Sequence, residues 1–271
     1  MTIRDVPVRP GRGRTGEERF RIARAIPRPA WSRLARTETR LFLREPMALF
    51  WGLVFPLVLL IVMGVASDGP KKDLGGLRLV DVYTPILIGF VIAVLAVNAV
   101  PPVLAGYRER GVLRRLSTTP VPPAALLAVE LMINFAVVLV GMVAILAVAR
   151  LAFDVPLPGQ PAGFLVAVVL AALALLAIGL FVAAVAPSGR MGNAIGAIVF
   201  FPMMFFAGLW IPRPLMGDGL RAASDYTPLG AAVRALGDAT AGSWPPAASL
   251  LVMAGYAVLF GYAALRFFRW E

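Results

Sequence analysis

From Met47 onward the chain returns repeatedly to apolar runs of about twenty residues, broken only by short polar or proline-bearing stretches. A helix of that length rises about 30 Å, the thickness of a bilayer's hydrocarbon core. Barrel strands would alternate apolar with polar residues, and these runs do not. The expected fold class is therefore an all-α membrane protein with six transmembrane helices, at about 47–66, 82–104, 124–149, 162–186, 192–211 and 247–268. Composition points the same way, since 59% of residues are hydrophobic and only 15% charged, against about 25% charged in soluble domains. Pro122-Pro123 and Pro245-Pro246 stand where helices begin, because a first helical turn needs no proline N–H. Pro187-Ser188-Gly189 closes the fourth run.

The segment before the first span divides in two. Residues 1–30 are rich in Arg, Pro and Gly with no periodicity, and are expected to form a disordered basic arm. Residues 31–271 would then form the membrane domain. Within it, "WSRLARTETRLFLRE" places Arg33, Arg36, Arg40 and Arg44 on one helical face and Trp31, Leu34, Leu41 and Phe42 on the other. That pattern predicts an amphipathic helix lying along the membrane surface. Glu38 and Glu45 project from its apolar side, toward a basic partner or toward water.

Basic residues set the orientation. Of 26 Lys and Arg, twelve precede the first span, four lie in 106–123, one is Arg190 and two are Arg266 and Arg269. The remaining seven fall in the alternate loops. The positive-inside rule thus places both termini in the cytoplasm of a multi-pass protein of the cell membrane. Trp210 and Trp244 mark the outer interface and Trp270 the inner one. A net charge of +11 is explained by topology and anionic lipid rather than by nucleic acid.

Between Pro212 and Pro246 the chain is too long for a simple turn and rich in Ala and Leu. Short helices are expected at 220–223 and 229–236, parted by Asp225-Tyr226-Thr227-Pro228, as an outer cap or re-entrant hairpin. No catalytic site is expected. The chain has no Cys or His, which removes thiol and imidazole chemistry. Its only lysines, Lys71-Lys72, are followed by Asp73, so no P-loop exists. The acidic residues are scattered, and no metal site is expected.

Polar residues inside apolar spans are costly. Asn98 lies in span two, Glu130 and Asn134 share a face of span three, and Asn193 opens span five. They either bridge helices or touch a transported substrate. The run "FFPMMFF", with Met203, Phe205 and Phe206, offers either lipid-facing packing or an adaptable apolar binding surface.

The remaining feature is a charged hook between spans two and three, "GYRERGVLRRLSTTPVPP". Topology alone asks for basic residues, but not for Glu109, Gly111 or the Thr-Pro exit. Its arginines suit docking on an acidic or carbonyl-rich surface of another protein. "RERGVLRRLSTTPVPP" resembles the loop signature of the type-2 ABC exporter permeases, especially those of the antibiotic- and daunorubicin-resistance type. "RLFLREPMALFWGLVFPLVLL" is similar to that family's approach to span one, and "FFPMMFFAGLWIPRPL" with "YTPLGAAVRAL" to its span-five exit and outer hairpin.

The resemblance implies a permease subunit without an ATP site of its own, and so not itself an enzyme. It would pair with a second permease chain as a homodimer and with two copies of a separate ABC ATPase, which would hold ATP and Mg. It implies that Arg108, Glu109, Arg110, Gly111, Leu113, Arg114 and Arg115 form a coupling helix in the ATPase groove. Trp31, Arg33, Glu38, Arg40 and Arg44 would belong to the connecting helix. A midline cavity between spans one, two and five would alternate its opening and export a drug, lipid or lipid-linked molecule. Two other readings remain open on the residues alone. One is a membrane-embedded enzyme or assembly factor with a basic cytoplasmic face, which would need an acidic or nucleophilic cluster. The other is an ATP-independent channel, which would need a continuous polar stripe.

Overall fold

The computed structural model of the chain describes residues 46–67, 69, 72–112 and 123–267, together with positions 36, 39 and 40. The expected basic arm, and Trp31, Arg33, Glu38 and Arg44 of the expected surface helix, lie outside the described residues. Arg36, Thr39 and Arg40 are helical and exposed.

The described residues are helical, with no strand among them. Helix α1 joins Pro46–Leu49, a π-helical turn Phe50–Val54 and Phe55–Val65. Helix α2, Leu79–Glu109, likewise contains a π-helical segment, Val94–Ala99. Then come α3 (Pro123–Phe153), α4 (Pro161–Val185), α5 (Gly189–Ala207), the short α6 (Asp218–Asp225) and α7 (Pro228–Thr240), and α8 (Ala247–Phe267). Five of these, α2, α3, α4, α5 and α8, are long and apolar enough to cross a membrane; the apolar part of α1, Phe50–Val65, is shorter.

Local chemistry fixes the helix ends. Ser188 accepts from Met191 N at 3.3 Å to start α5, and Gly208, at φ 96°, ends it in the left-handed conformation that glycine adopts without cost. The expected fifth span therefore stops short of Ile211. Thr227 caps α7 by accepting from Gly230 N at 3.1 Å, and Pro228 follows at its first position. Arg78 and Asp81 close the start of α2 through a 2.8 Å ion pair, and Arg78 Nη1 also donates to Phe153 O at 2.7 Å, joining the end of α3 to that start. The Asp81 hydrogen bond holds the Arg78 guanidinium above its usual pKa.

Packing divides the helices into a centre and a periphery. The most apolar stretch of α2 is 78% buried against 17% for that of α8, so α2 is the central helix and α8 turns most of its surface outward. α4 packs along α8 and α7, α5 packs on α2, and α1 and α3 cover another side of α2. Exposed Leu151, Val258, Leu259 and Leu265 on the peripheral helices are surface that a bilayer would cover.

The segment between α5 and α8 forms the two expected short helices, with α7 packed against α4, α5 and α2. Leu229 and Val233 of α7 reach Gly89, where an added Cβ would lie 3.2 Å from each. Gly89 is about 15 Å along α2 from Leu79. Asp225 ties the segment together, pairing with Arg213 at 2.5 Å and Arg234 at 2.8 Å. Asp238 lies beside Arg234 at 3.8 Å, and burial pushes its carboxyl above the usual range although the arginine opposes the shift.

Candidate functional site

A deep concavity is built from the two helices that carry π-helical turns. Pro56 has no N–H for the Gly52 carbonyl, and Pro101 and Pro102 have none for those of Val97 and Asn98. The backbone beside these prolines widens in both helices, as π-helical turns do, often at functional sites. Together with α5 they enclose a cavity of about 710 Å³ between α1, α2 and α5. Its position agrees with the cavity expected between spans one, two and five.

Aromatic rings form an unbroken chain around it. Trp51 lies 4.9 Å from Phe55, Phe55 5.3 Å from Phe90, and Phe90 5.6 Å from Phe200. Phe200 continues to Phe201 at 5.9 Å, and Phe201 stacks on Trp210 at 6.4 Å. All six line the cavity; Asn98 and Asn193 are its amide-bearing lining residues, and no charged side chain among the described residues lines it. The chemistry of this lining favours an uncharged ligand with aromatic or apolar surface and a group that hydrogen-bonds an amide.

The polar and soft residues singled out in the sequence separate in space. Asn98 belongs to the cavity, but Glu130 and Asn134 do not line it. They are buried on α3, where Asn134 Nδ2 donates to Glu130 O at 2.9 Å and to Glu130 Oε1 at 3.1 Å. The "FFPMMFF" run also divides. Phe200 and Phe201 line the cavity, Met203 is buried in the core, and Phe205 and Phe206 stack edge to face beyond the lining.

Glycine positions the α5 wall, and the sequence reading did not use this signal. Gly189, Gly192 and Gly196 are spaced by three and four residues, so they share one face of α5. A Cβ on Gly189 would lie 2.9 Å from Pro102 O, and one on Gly192 2.9 Å from Pro101 O. One on Gly196 would collide with Val97 O, as one on Gly179 of α4 would with Ala96 O. Backbone thus lies on backbone along α2, the close approach that small residues permit between membrane helices.

The hook begins differently from its expected form. Arg108 and Glu109 complete the last turn of α2, and Gly111 follows at φ 67° with its N–H donating to Arg108 O at 3.0 Å. Gly111 is therefore a left-handed helix terminator, not the interior of a continuous helix through Arg108 to Arg115. Arg110 turns back, donating from Nε to Gly106 O at 3.1 Å with its guanidinium 5.8 Å from the Tyr107 ring centre. Arg108 and Glu109 face the turn between α4 and α5. Leu113, Arg114 and Arg115 lie outside the described residues.

The ABC-2 type transporter family model matches residues 29–239, well over half of the chain. The chain belongs to the ABC-2 type transporter family. The match begins beside Trp31 and ends within α7. No curated protein matches the chain. An ABC-2 type transporter chain is a membrane component of transport without an ATP site of its own, and the family generally works with an ABC ATPase. This ABC-2 chain is thus a multi-pass membrane transporter subunit, and the aromatic cavity is its candidate functional site.

Proposed function

We propose that the chain is the permease half of an ATP-driven exporter that moves uncharged, aromatic or otherwise apolar molecules out of the cytoplasm. The observation that carries this reading is the aromatic cavity between α1, α2 and α5, lined by no charged side chain among the described residues. Two copies of a separate ATPase supply ATP and Mg chemistry, and their closure drives alternating access. The segment that follows Gly111, through Leu113, Arg114 and Arg115, reaches the ATPase, and the region from Trp31 to Arg44 serves as the connecting helix. A second copy of the chain completes the transporter. Trp51, Phe201 and Trp210 are 41%, 60% and 51% exposed, and a facing copy would cover this open side. Efflux of toxic compounds, as in drug resistance, is the physiological role that suits such a lining.

In this arrangement α1 is the first of six spans, lengthened past Phe50–Val65 by the turn at Pro46, and α6–α7 is a re-entrant hairpin covered by α2 and α4. The excess of basic residues on the side of the termini and the hook supports a cytoplasmic location for both termini. Because the chain has no cysteine, single cysteines report this directly. Ser243→Cys should react with an impermeant thiol reagent in intact cells and Ser117→Cys should not; the reverse pattern would invert the topology. The transport reading itself is tested by whether ATP drives a neutral aromatic molecule across a bilayer through the chain and its ATPase.

A further inference from the structure

The last turn of α2 carries two adjacent opposite charges, and each meets the end of a different helix. Arg108 Nη1 donates to Ala184 O at 3.0 Å, and Nη2 donates to Ala186 O. These carbonyls lie in the final turn of α4 and at its cap, where acceptors lack intrahelical partners and the helix dipole is negative. Glu109 Oε2 accepts from Gly189 N at 3.0 Å. Gly189 opens α5, where amides lack partners and the dipole is positive. Only residues 186–188 separate the two helices, so one dipeptide spans both sides of the turn. The order of the charges matches the order of the helix ends. Exchanging them would set a cation on amide donors and an anion on carbonyl acceptors.

We propose that Arg108 and Glu109 are positioning residues that clasp the α4–α5 turn to the hook end of α2, so that any displacement of α2 at Gly111 carries the α5 wall of the cavity with it. This explains a glutamate within a basic hook without assigning it to a partner's surface. The glycine seam supports the same unit. Gly189, Gly192 and Gly196 lay α5 directly on the backbone of α2, with the Asn98 side chain beside Gly196, a close approach that resists sliding of one helix on the other. The clasp joins that seam at the end of α2 next to Gly111. Its role in coupling rests on the transporter reading, whereas the contact itself does not.

Two measurements separate these parts. The first is hydrogen exchange of the purified chain in detergent, without ATPase or nucleotide, read at the amides of Gly189 to Met191. Glu109→Ala should speed exchange there about fivefold, the opening expected when a helix loses one N-terminal cap, with the interior of α4 unchanged. Glu109→Gln keeps an acceptor oxygen without the charge and should exchange more slowly than Glu109→Ala, close to wild type. The second is ATP hydrolysis by the complex with its ATPase in nanodiscs, stimulated by a neutral aromatic dye. Glu109→Ala and Arg108→Ala should each lose tenfold or more of that stimulation while the ATPase still copurifies, and Glu109→Gln should retain it. Unchanged exchange in Glu109→Ala would overturn the clasp. So would a Glu109→Gln variant as uncoupled as Glu109→Ala, because charge facing outward would then be what matters. A wild-type complex with no stimulation would defeat the transporter reading, while the exchange result would still judge the contact.

Discussion

Gly111→Pro should insert and bind its ATPase but lose ligand-stimulated ATP hydrolysis by tenfold or more. Proline locks φ near −65°, whereas Gly111 ends α2 at φ 67°. Proline also removes the N–H that donates to Arg108 O at 3.0 Å, so the observed conformation carries a prohibitive cost for it. The chain escapes that cost by leaving α2 along another path, which redirects Leu113, Arg114 and Arg115 without changing a single charge. A substitution series sharpens the result. Asn enters the left-handed region more readily than Ala, so stimulation should fall in the order Gly, Asn, Ala, Pro. Equal activity across the series, measured in nanodiscs with the ATPase bound, would mean that the hook acts through charge alone.

Ala197→Trp should raise the concentration of neutral aromatic ligand needed for half-maximal stimulation by tenfold or more, a loss of about 1.4 kcal/mol in binding. Ala197 lines the cavity from the α5 wall and is only partly buried, so a larger side chain enters the ligand's space rather than the helix seam. Folding should therefore survive, with an unchanged melting temperature as the control. The neighbouring Gly196 provides the contrast. There even a methyl group meets the Val97 carbonyl, and Gly196→Ala should disturb the α2–α5 packing itself. Wild-type ligand dependence in Ala197→Trp would remove this cavity from the substrate's path.

Much of the helix plan was legible because bilayer-length apolar runs and their prolines are local signals. The run expected at 162–186 is helix Pro161–Val185, and the run expected at 247–268 is helix Ala247–Phe267. Differences arise where long-range contacts decide the end of a helix. α2 runs through Glu109 rather than stopping near residue 104, because Arg108 and Glu109 are held by the ends of α4 and α5. A hydropathy reading sees only two charges and stops the span early. α3 extends to Phe153 past Arg150, whose guanidinium reaches Asp154 at 3.9 Å.

The site was legible in outline only. Asn98 stood out as a polar residue in an apolar span and does line the cavity. Asn134 carried the same signal, but its amide bonds within its own helix, and one-dimensional polarity cannot separate those outcomes. The aromatic chain from Trp51 to Trp210 joins three helices distant in sequence, so no spacing within one helix announces it. The glycines of α5 did carry a readable signal, three small residues on one face, and their meaning becomes concrete when Pro101, Pro102 and the π-helical turn supply the backbone they rest on.

The central claim, an ATP-driven permease with its path through the α1–α2–α5 cavity, is tested most directly by flux. The chain and its ATPase, co-reconstituted in proteoliposomes with the ATPase face outward, receive a neutral aromatic dye and ATP. The account predicts ATP-dependent accumulation of dye inside the vesicles, the equivalent of export from a cell. That accumulation should be absent with an ATPase unable to hydrolyse ATP and should require at least tenfold more dye in Ala197→Trp. Equal dye movement with and without ATP, or accumulation that Ala197→Trp leaves untouched, would contradict it.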